Sequence, residues 1–166
     1  MINENQYRKA YRTYLSAKGF LSAADVVRQV GKRDGLKLFT YYAYPLSVNA
    51  AFACELFIKA LLSLEGTEYG RLHCLSDLFS ELSHNTKTRV EKEFAKSGSK
   101  DTVEELVKTY NNAFVEWRYP FDPENETKAL TMVWSDFLVF CMTLQIVTKE
   151  TLKEFPFFDD FNIEGV

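Results

Sequence analysis

The chain has 166 residues with a formal net charge of −3, and 46% of its residues are hydrophobic. A chain of this length buries roughly two thirds of the surface that its unfolded form exposes, so its core needs neither a disulfide nor a metal. Its three cysteines, Cys54, Cys74 and Cys141, are widely separated and contain no Cys-x-x-Cys pair, which argues against a disulfide framework and a cysteine zinc site.

The chain contains few glycines and prolines, which favours long helices over many short strands. Residues 3–30 carry apolar side chains at three- and four-residue steps, which predicts a first helix. The segment 31–35, Gly-Lys-Arg-Asp-Gly, is typical of a turn. A second helix is predicted to begin near Pro45, a residue suited to a first helical turn, and to run to Leu64. Gly66 would end it as the residue after the C-cap.

The second helix is apolar on nearly every side, so we expect it at the centre of a bundle. Shorter helices are predicted over 72–82, 87–97 and 102–117, the last opened by a capping box between Thr102 and Glu105. A long final helix is predicted over 126–152, after a turn that contains Pro120 and Pro123. The sequence therefore predicts an all-α, up-and-down bundle of about five or six helices, in one domain over residues 1–166.

The tail, residues 153–166, combines aromatic and acidic side chains. We expect it to pack against its own bundle, because exposed aromatic clusters are uncommon on monomers. Docking on a partner is the alternative.

Two apolar segments, 46–64 and 129–147, have lengths typical of membrane spans. Glu55 and Lys59 interrupt the first and Asp136 the second. A charge at the centre of a membrane helix costs about 2.5–3.5 kcal/mol, so we interpret both as core helices. The N-terminus is polar and unlike a signal peptide. We expect a cytoplasmic protein with reduced thiols and no membrane association.

Glu55 and Lys59 are the only charged residues between Pro45 and Leu64. They are four residues apart with Glu first, the order that favours an ion pair on a helix. Buried charges require partners. The two residues therefore form either a structural ion pair or part of a polar cleft.

His73, Asp77 and His84 are spaced by four and seven residues and would share one stripe of a helix. His73 and His84 would lie about three turns apart, too far to bind one ion, so we predict neither a metal site nor a cofactor. Asp77 would orient His73 as an acid–base group, or would only satisfy its hydrogen bonding.

The run Trp-Arg-Tyr-Pro-Phe-Asp, residues 117–122, places Arg118 and Tyr119 at a helix end beside two prolines. The guanidinium of Arg118 would reach a phosphate or the carboxylate of Glu55. The alternative is that Arg118 caps the helix C-terminus, where its charge suits the dipole.

Taken in order, these segments resemble one family. Residues 55–62 read Glu-Leu-Phe-Ile-Lys-Ala-Leu-Leu, residues 73–79 read His-Cys-Leu-Ser-Asp-Leu-Phe, and residues 114–119 read Phe-Val-Glu-Trp-Arg-Tyr. This order is similar to bacterial HEPN and HEPN-like domains, over about residues 8–150. The resemblance implies an up-and-down bundle that often dimerises, in toxin–antitoxin, antiphage or other nucleic-acid conflict systems. Active members are metal-independent RNases that use an arginine and a downstream histidine with four to six residues between them.

The chain departs from that motif after Arg118, where Pro123, Glu124 and Asn125 occupy the expected histidine positions. We therefore predict a noncatalytic module that binds nucleotide or RNA phosphate, or a protein partner, as a homodimer. A nucleotidyltransferase or an antitoxin is the expected type of protein partner. The predicted binding cleft consists of Glu55, Lys59, His73, Asp77, Arg118 and Tyr119.

Two alternatives stay open. In the first, the chain is a metal-independent endoribonuclease with a rearranged site, in which Arg118 binds the phosphate and His73 replaces the missing histidine. In the second, it is a purely structural interaction domain whose buried polar residues only fix packing.

Overall fold

The computed structural model describes residues 2–34, 36–116 and 136–158. The helices in these residues are α1 (Glu4–Asp34), α2 (Leu36–Glu65), α3 (Leu75–Glu81), α4 (His84–Ala95), α5 (Val103–Thr109), α6 (Ala113–Glu116) and α7 (Phe137–Lys153). No strand occurs within the described residues. The prediction of an all-α helical bundle is confirmed.

The two long helices α1 and α2 pack against each other along much of their length. α1 opens with a reciprocal cap, in which the side chain of Asn3 accepts from the N–H of Gln6 at 3.0 Å and that of Gln6 accepts from Asn3 at 2.9 Å. These two bonds satisfy N–H groups that a helix start leaves without partners.

The predicted turn over 31–35 is wrong for its first four residues, because α1 continues to Asp34. Lys32 and Arg33 lie in the last turn of α1, where positive charge favours the helix dipole. Gly31 is buried, and its lack of a side chain suits a packed position. Gly35 lies outside the described residues.

The predicted start of the second helix near Pro45 is also wrong, because α2 begins at Leu36 and contains Pro45. A proline inside a helix removes one hydrogen bond, to the carbonyl four residues earlier. That carbonyl belongs to Tyr41, a residue that is 78% exposed, so the missing bond falls at the surface of the bundle. The side chain of Asn49 donates to the Pro45 carbonyl at 2.6 Å.

The predicted end of α2 is confirmed at Gly66, which adopts a left-handed φ of 74°. The N–H of Gly66 donates to Ser63 at 3.2 Å and that of Thr67 to Leu62 at 2.9 Å. This pair of bonds is a Schellman motif, which satisfies the last carbonyls of a helix and requires a residue that tolerates positive φ.

The shorter helices differ from the prediction mainly at their ends. Residues 72–74 precede α3, and α4 begins earlier than predicted, at His84, with Ser83 as its N-cap. The predicted helix over 102–117 is divided between α5 and α6. Residues 126–135, Pro120 and Pro123 lie outside the described part of the chain.

Asn111 explains the division between α5 and α6. Its backbone carbonyl accepts from the N–H of Leu75 at 3.0 Å, and its side-chain oxygen accepts from the N–H of Ser76 at 2.9 Å. These N–H groups begin α3 and have no acceptor within that helix. The break between α5 and α6 thus places Asn111 where it caps the start of α3, although the two are far apart in the sequence.

α2 lies at the centre of the hydrophobic core, as predicted: it contacts α1, α3, α6 and α7, and nearly every residue from Ala50 to Leu64 is buried. By length and composition alone, the stretch Tyr41–Glu65 would also suffice to cross a bilayer, but 72% of its most apolar window is buried inside the protein. Core helices of soluble proteins have the same property.

The aromatic start of the tail packs on the same bundle. The ring centroids of Phe155 and Phe157 lie 5.8 Å and 5.5 Å from that of Tyr7 in α1. The Tyr7 hydroxyl donates to the carbonyl of Leu152 at 3.4 Å. The prediction that the tail folds back is confirmed up to Phe158, and residues 159–166 lie outside the described residues.

We expect Thr102→Ala to lower the free energy of unfolding by about 1 kcal/mol, the usual effect of losing an N-cap side chain. The Thr102 hydroxyl accepts from the N–H of Glu105 at 3.1 Å, and the carboxylate of Glu105 accepts from the N–H of Thr102 at 2.8 Å. Urea denaturation of both proteins measures the difference. The control is Thr109→Ala, at an exposed position of the same helix.

The same cap gives stability a pH dependence. Hydrogen bonds from Thr102 hold the pKa of Glu105 below its ordinary value. The cap is therefore fully formed above the ordinary glutamate pKa, and its contribution declines as the pH falls through the lowered value. Thr102→Ala should remove this part of the acid dependence, and an unchanged acid branch would contradict the assignment.

Candidate functional site

A polar stripe runs through the buried face of α2. Glu55, Lys59 and Ser63 follow one another at four-residue steps and are 1%, 9% and 6% exposed. Lys59 Nζ lies 2.7 Å from Glu55 Oε1, and the Ser63 hydroxyl donates to the Lys59 carbonyl at 2.9 Å. The predicted ion pair is present and almost completely removed from water.

His73 joins this pair from the loop of residues 66–74, which connects α2 to α3. Its Nδ1 lies 2.9 Å from Glu55 Oε1, the oxygen that Lys59 already contacts. A carboxylate only accepts hydrogen bonds, so we infer that Nδ1 carries the hydrogen. The His73 side chain is 52% exposed. Glu55, Lys59 and His73, called the carboxylate cluster below, therefore reach from the core to the surface.

The second oxygen of Glu55, Oε2, is buried and has no hydrogen-bond partner among the described residues. Leaving a buried acceptor without a donor costs about 1–3 kcal/mol, more for a charged group. The carboxylate cluster thus retains unused capacity to accept a hydrogen bond.

The start of α3 is anchored to the junction of α5 and α6 beside the cluster. The thiol of Cys74 donates to the side-chain oxygen of Asn112 at 3.0 Å, next to the contacts between Asn111 and α3. Partial burial, followed by the negative charge and hydrogen bond of Asp77 and then the charge of Glu55, raises the pKa of the Cys74 thiol. His73 is therefore carried by a segment that is anchored on both sides.

The structure brings Glu55, Lys59 and His73 together but does not place every predicted residue in this cluster. The predicted helical stripe of His73, Asp77 and His84 is wrong, because His73 precedes α3 and His84 begins α4. The described contacts join His73 to Glu55, and Asp77 instead influences Cys74. Sequence spacing misled here because the residues belong to three separate elements.

Arg118 and Tyr119, the remaining residues of the predicted cleft, lie outside the described residues. The helix that leads to them is described: Phe114 of α6 stacks on Phe52 of α2 with ring centroids 4.2 Å apart. Phe52 precedes Glu55 by three residues, about one helical turn.

Sequence reasoning missed two neighbours of the cluster, Tyr69 and Lys9. The Nζ atoms of Lys59 and Lys9 lie 5.6 Å and 5.0 Å from the centroid of the Tyr69 ring. Both distances are within the range of cation–π attraction. No local sequence pattern predicts these contacts, because Tyr69 lies in a loop and Lys9, in α1, is more than fifty residues away from it.

The chemistry available to the carboxylate cluster follows from these groups. It offers a partly exposed imidazole held by a carboxylate, and an ammonium group that the same carboxylate neutralises. No group of three or more His, Cys, Asp or Glu in the described ranges is placed to hold a metal ion. Hydrogen bonding, charge pairing and proton transfer at His73 are thus the chemistry that the described groups offer.

Fold and site together define a helical bundle with a buried carboxylate cluster on its central helix. The HEPN domain model matches residues 14–135. Because that match covers well over half of the chain, the chain belongs to the HEPN domain family. No curated protein matches it significantly, and neither does any solved structure.

We expect Glu55→Ala to destabilise the protein by about 3–5 kcal/mol, because it leaves Lys59 buried without its counter-charge. The double variant Glu55→Leu with Lys59→Met removes both charges and should recover most of that loss. Urea denaturation measures each free energy of unfolding. The matched control is Glu81→Ala, an exposed glutamate at the end of α3. A single variant as stable as the wild type would contradict the assignment of a tightly coupled pair.

We expect Cys74 to be the thiol that iodoacetamide modifies in the folded protein, because Cys54 and Cys141 are buried. Its raised pKa reduces the thiolate fraction at neutral pH, so modification should be slow there and accelerate as the pH rises through the raised value. Asp77→Asn should increase the rate near pH 8 by removing a charge that disfavours the thiolate. Mass spectrometry identifies the modified residue, and urea-unfolded protein is the control in which all three thiols react.

Proposed function

We propose that this HEPN-domain chain is a noncatalytic module that binds the phosphate of a nucleotide or RNA. The observation that carries the proposal is the carboxylate cluster, in which Glu55 holds the partly exposed ring of His73 next to Lys59. In its imidazolium form His73 has a second N–H, at Nε2, that can donate to a phosphate oxygen, and Lys59 keeps N–H donors beyond the one that faces Glu55. Arg118 would add a bidentate contact.

The sequence supports binding over cleavage. The chain has two histidines, His73 and His84, and both precede Arg118; neither follows an arginine at the family's spacing. Metal-independent RNA cleavage needs groups that remove and deliver protons. Lys59, next to His73, is engaged by Glu55 at 2.7 Å.

One observation favours the second candidate, an endoribonuclease with a rearranged site. A histidine whose Nδ1–H is bound to a buried carboxylate has the orientation and tautomer of a general base. His73 meets that description through Glu55. Activity would then require Arg118 for the phosphate and His73 for proton transfer.

Incubation with a labelled RNA pool in the presence of a metal chelator separates the two candidates. We expect intact RNA with the wild type and with His73→Ala. The matched control for His73→Ala is His84→Ala, which removes the other histidine. RNA that the wild type and His84→Ala cut, and that His73→Ala and Arg118→Ala both spare, would establish the nuclease and overturn the binding module.

Fluorescence polarisation with a labelled oligoribonucleotide tests binding itself. We expect Arg118→Ala to weaken binding about tenfold, as for loss of one charged hydrogen-bonding group, and to reduce the slope of log affinity against log salt by about 1. The affinity of Arg118→Lys should lie between those of the wild type and Arg118→Ala, because lysine keeps the charge but not the bidentate geometry. Equal affinities for the three proteins would contradict a phosphate contact at Arg118.

Family membership also supports a homodimer that works in the cytoplasm beside a nucleotidyltransferase or an antitoxin. Sedimentation equilibrium tests the homodimer, and a monomer at micromolar concentration would contradict it. The identity of the neighbouring genes tests the proposed nucleotidyltransferase or antitoxin partner.

A further inference from the structure

A pocket of about 360 Å³ opens between the first turns of α1 and the loop after α2. Its lining residues are Gln6, Lys9, Ser63, Gly66, Thr67, Glu68, Tyr69 and Gly70. Small-molecule sites commonly have volumes of about 300–1,000 Å³. The pocket borders the carboxylate cluster, because Tyr69 contacts Lys59 as well as Lys9.

Lys9 provides a positive charge without a counter-charge at this pocket. It is exposed, its Nζ lies 5.0 Å from the centroid of the Tyr69 ring, and it forms no ion pair with the residues that the structure describes. Lys59, on the same ring, is neutralised by Glu55. Glu68 also lines the pocket, but it is exposed and not paired with Lys9. The ring therefore holds a cation whose charge is available to a ligand.

The loop adds backbone donors on the same side. The N–H groups of Gly66 and Thr67 are used by the α2 cap. Those of the next three residues, 68–70, have no acceptor within the described parts of the chain. Gly70 has a left-handed φ of 51°, a conformation that helps successive N–H groups to converge. Such groups form concave sites for anions.

We infer that this pocket binds a phosphate monoester group through Lys9 Nζ and the N–H groups of residues 68–70. Lys9 and residues 68–70 line one pocket and offer several donors there, which suits the three terminal oxygens of a phosphate better than the two of a carboxylate. Tyr69 is a positioning residue, because its ring holds Lys9 over the pocket. The inference rests on the proposed function for the ligand class, but it assigns separate residues to the contact.

Nuclear magnetic resonance of ¹⁵N-labelled protein tests the site directly. Inorganic phosphate, adenosine monophosphate and adenosine are titrated separately at constant ionic strength in a phosphate-free buffer. We expect the first two to shift the amide signals of residues 68–70 and adenosine to leave them unchanged. Tighter binding of the monophosphate than of phosphate would identify a nucleotide as the source of the group, and equal affinities would identify free phosphate. Adenosine binding as tightly as its monophosphate would overturn the inference.

Variants at Lys9 and Tyr69 supply the second test. We expect Lys9→Gln to weaken phosphate binding about tenfold, the effect of losing one charged hydrogen bond. Lys100→Gln is the matched control, because Lys100 is exposed and does not line the pocket. Tyr69→Phe should preserve binding, since it keeps the ring, and Tyr69→Leu should weaken it. Equal loss in Lys9→Gln and Lys100→Gln would indicate nonspecific charge and overturn the site.

The outcomes separate this inference from the proposed function. If Lys9→Gln leaves phosphate and RNA binding unchanged while His73→Ala weakens RNA binding, the pocket is refuted and the proposed function stands. If Lys9→Gln abolishes phosphate binding while His73→Ala and Arg118→Ala have no effect, the pocket stands and the cleft assignment fails. If none of the probes binds the wild type, both are wrong.

Discussion

The burial of Glu55 is the constraint on which the rest of this structure depends. A carboxylate in the middle of an apolar central helix is tolerated only with compensating partners. Lys59, in the next turn of α2, is one such partner, and His73, in the loop that follows the helix, is another. The contact between His73 and Glu55 holds the 66–74 loop against the core. The position of the loop therefore depends on the buried charge of Glu55 in α2.

The same burial makes the cluster asymmetric. Lys59 and His73 both contact Oε1, and Oε2 remains without a partner in the described residues. A site that served packing alone would be expected to satisfy both oxygens, because an unused buried acceptor is destabilising. An unused acceptor is completed by a donor such as an N–H or O–H group and not by a phosphate oxygen, so a phosphate would contact the donors of the cluster and not Oε2.

The sequence predicted those parts of the molecule that local interactions determine. The four-residue spacing of Glu55 and Lys59 fixes their pairing within one helix, and Gly66 marks the end of that helix through its backbone freedom. Pro45 was misleading because α2 begins earlier, at Leu36, and the hydrogen bond that Pro45 cannot make would involve Tyr41, an exposed residue. The partner of His73 could not be predicted, because Glu55 lies 18 residues away in another element and the cap on α3 comes from Asn111, 35 residues from Ser76. Local patterns carry no such information.

Family membership fixes the bundle but not its chemistry, since function belongs to the site and not to the fold. The family's nuclease arrangement needs a histidine downstream of Arg118, and both histidines of this chain lie upstream. His73 is bound to the buried carboxylate of Glu55. The loop that carries His73 is anchored by the hydrogen bond from Cys74 to Asn112. The His73 ring is partly exposed, with Nδ1 on Glu55 and Nε2 as the remaining nitrogen. Proton transfer would require a second group in the same place, and Lys59 is held by the same carboxylate. The proposed binding function and the alternative nuclease therefore differ in whether His73 has a second proton-transfer group beside it.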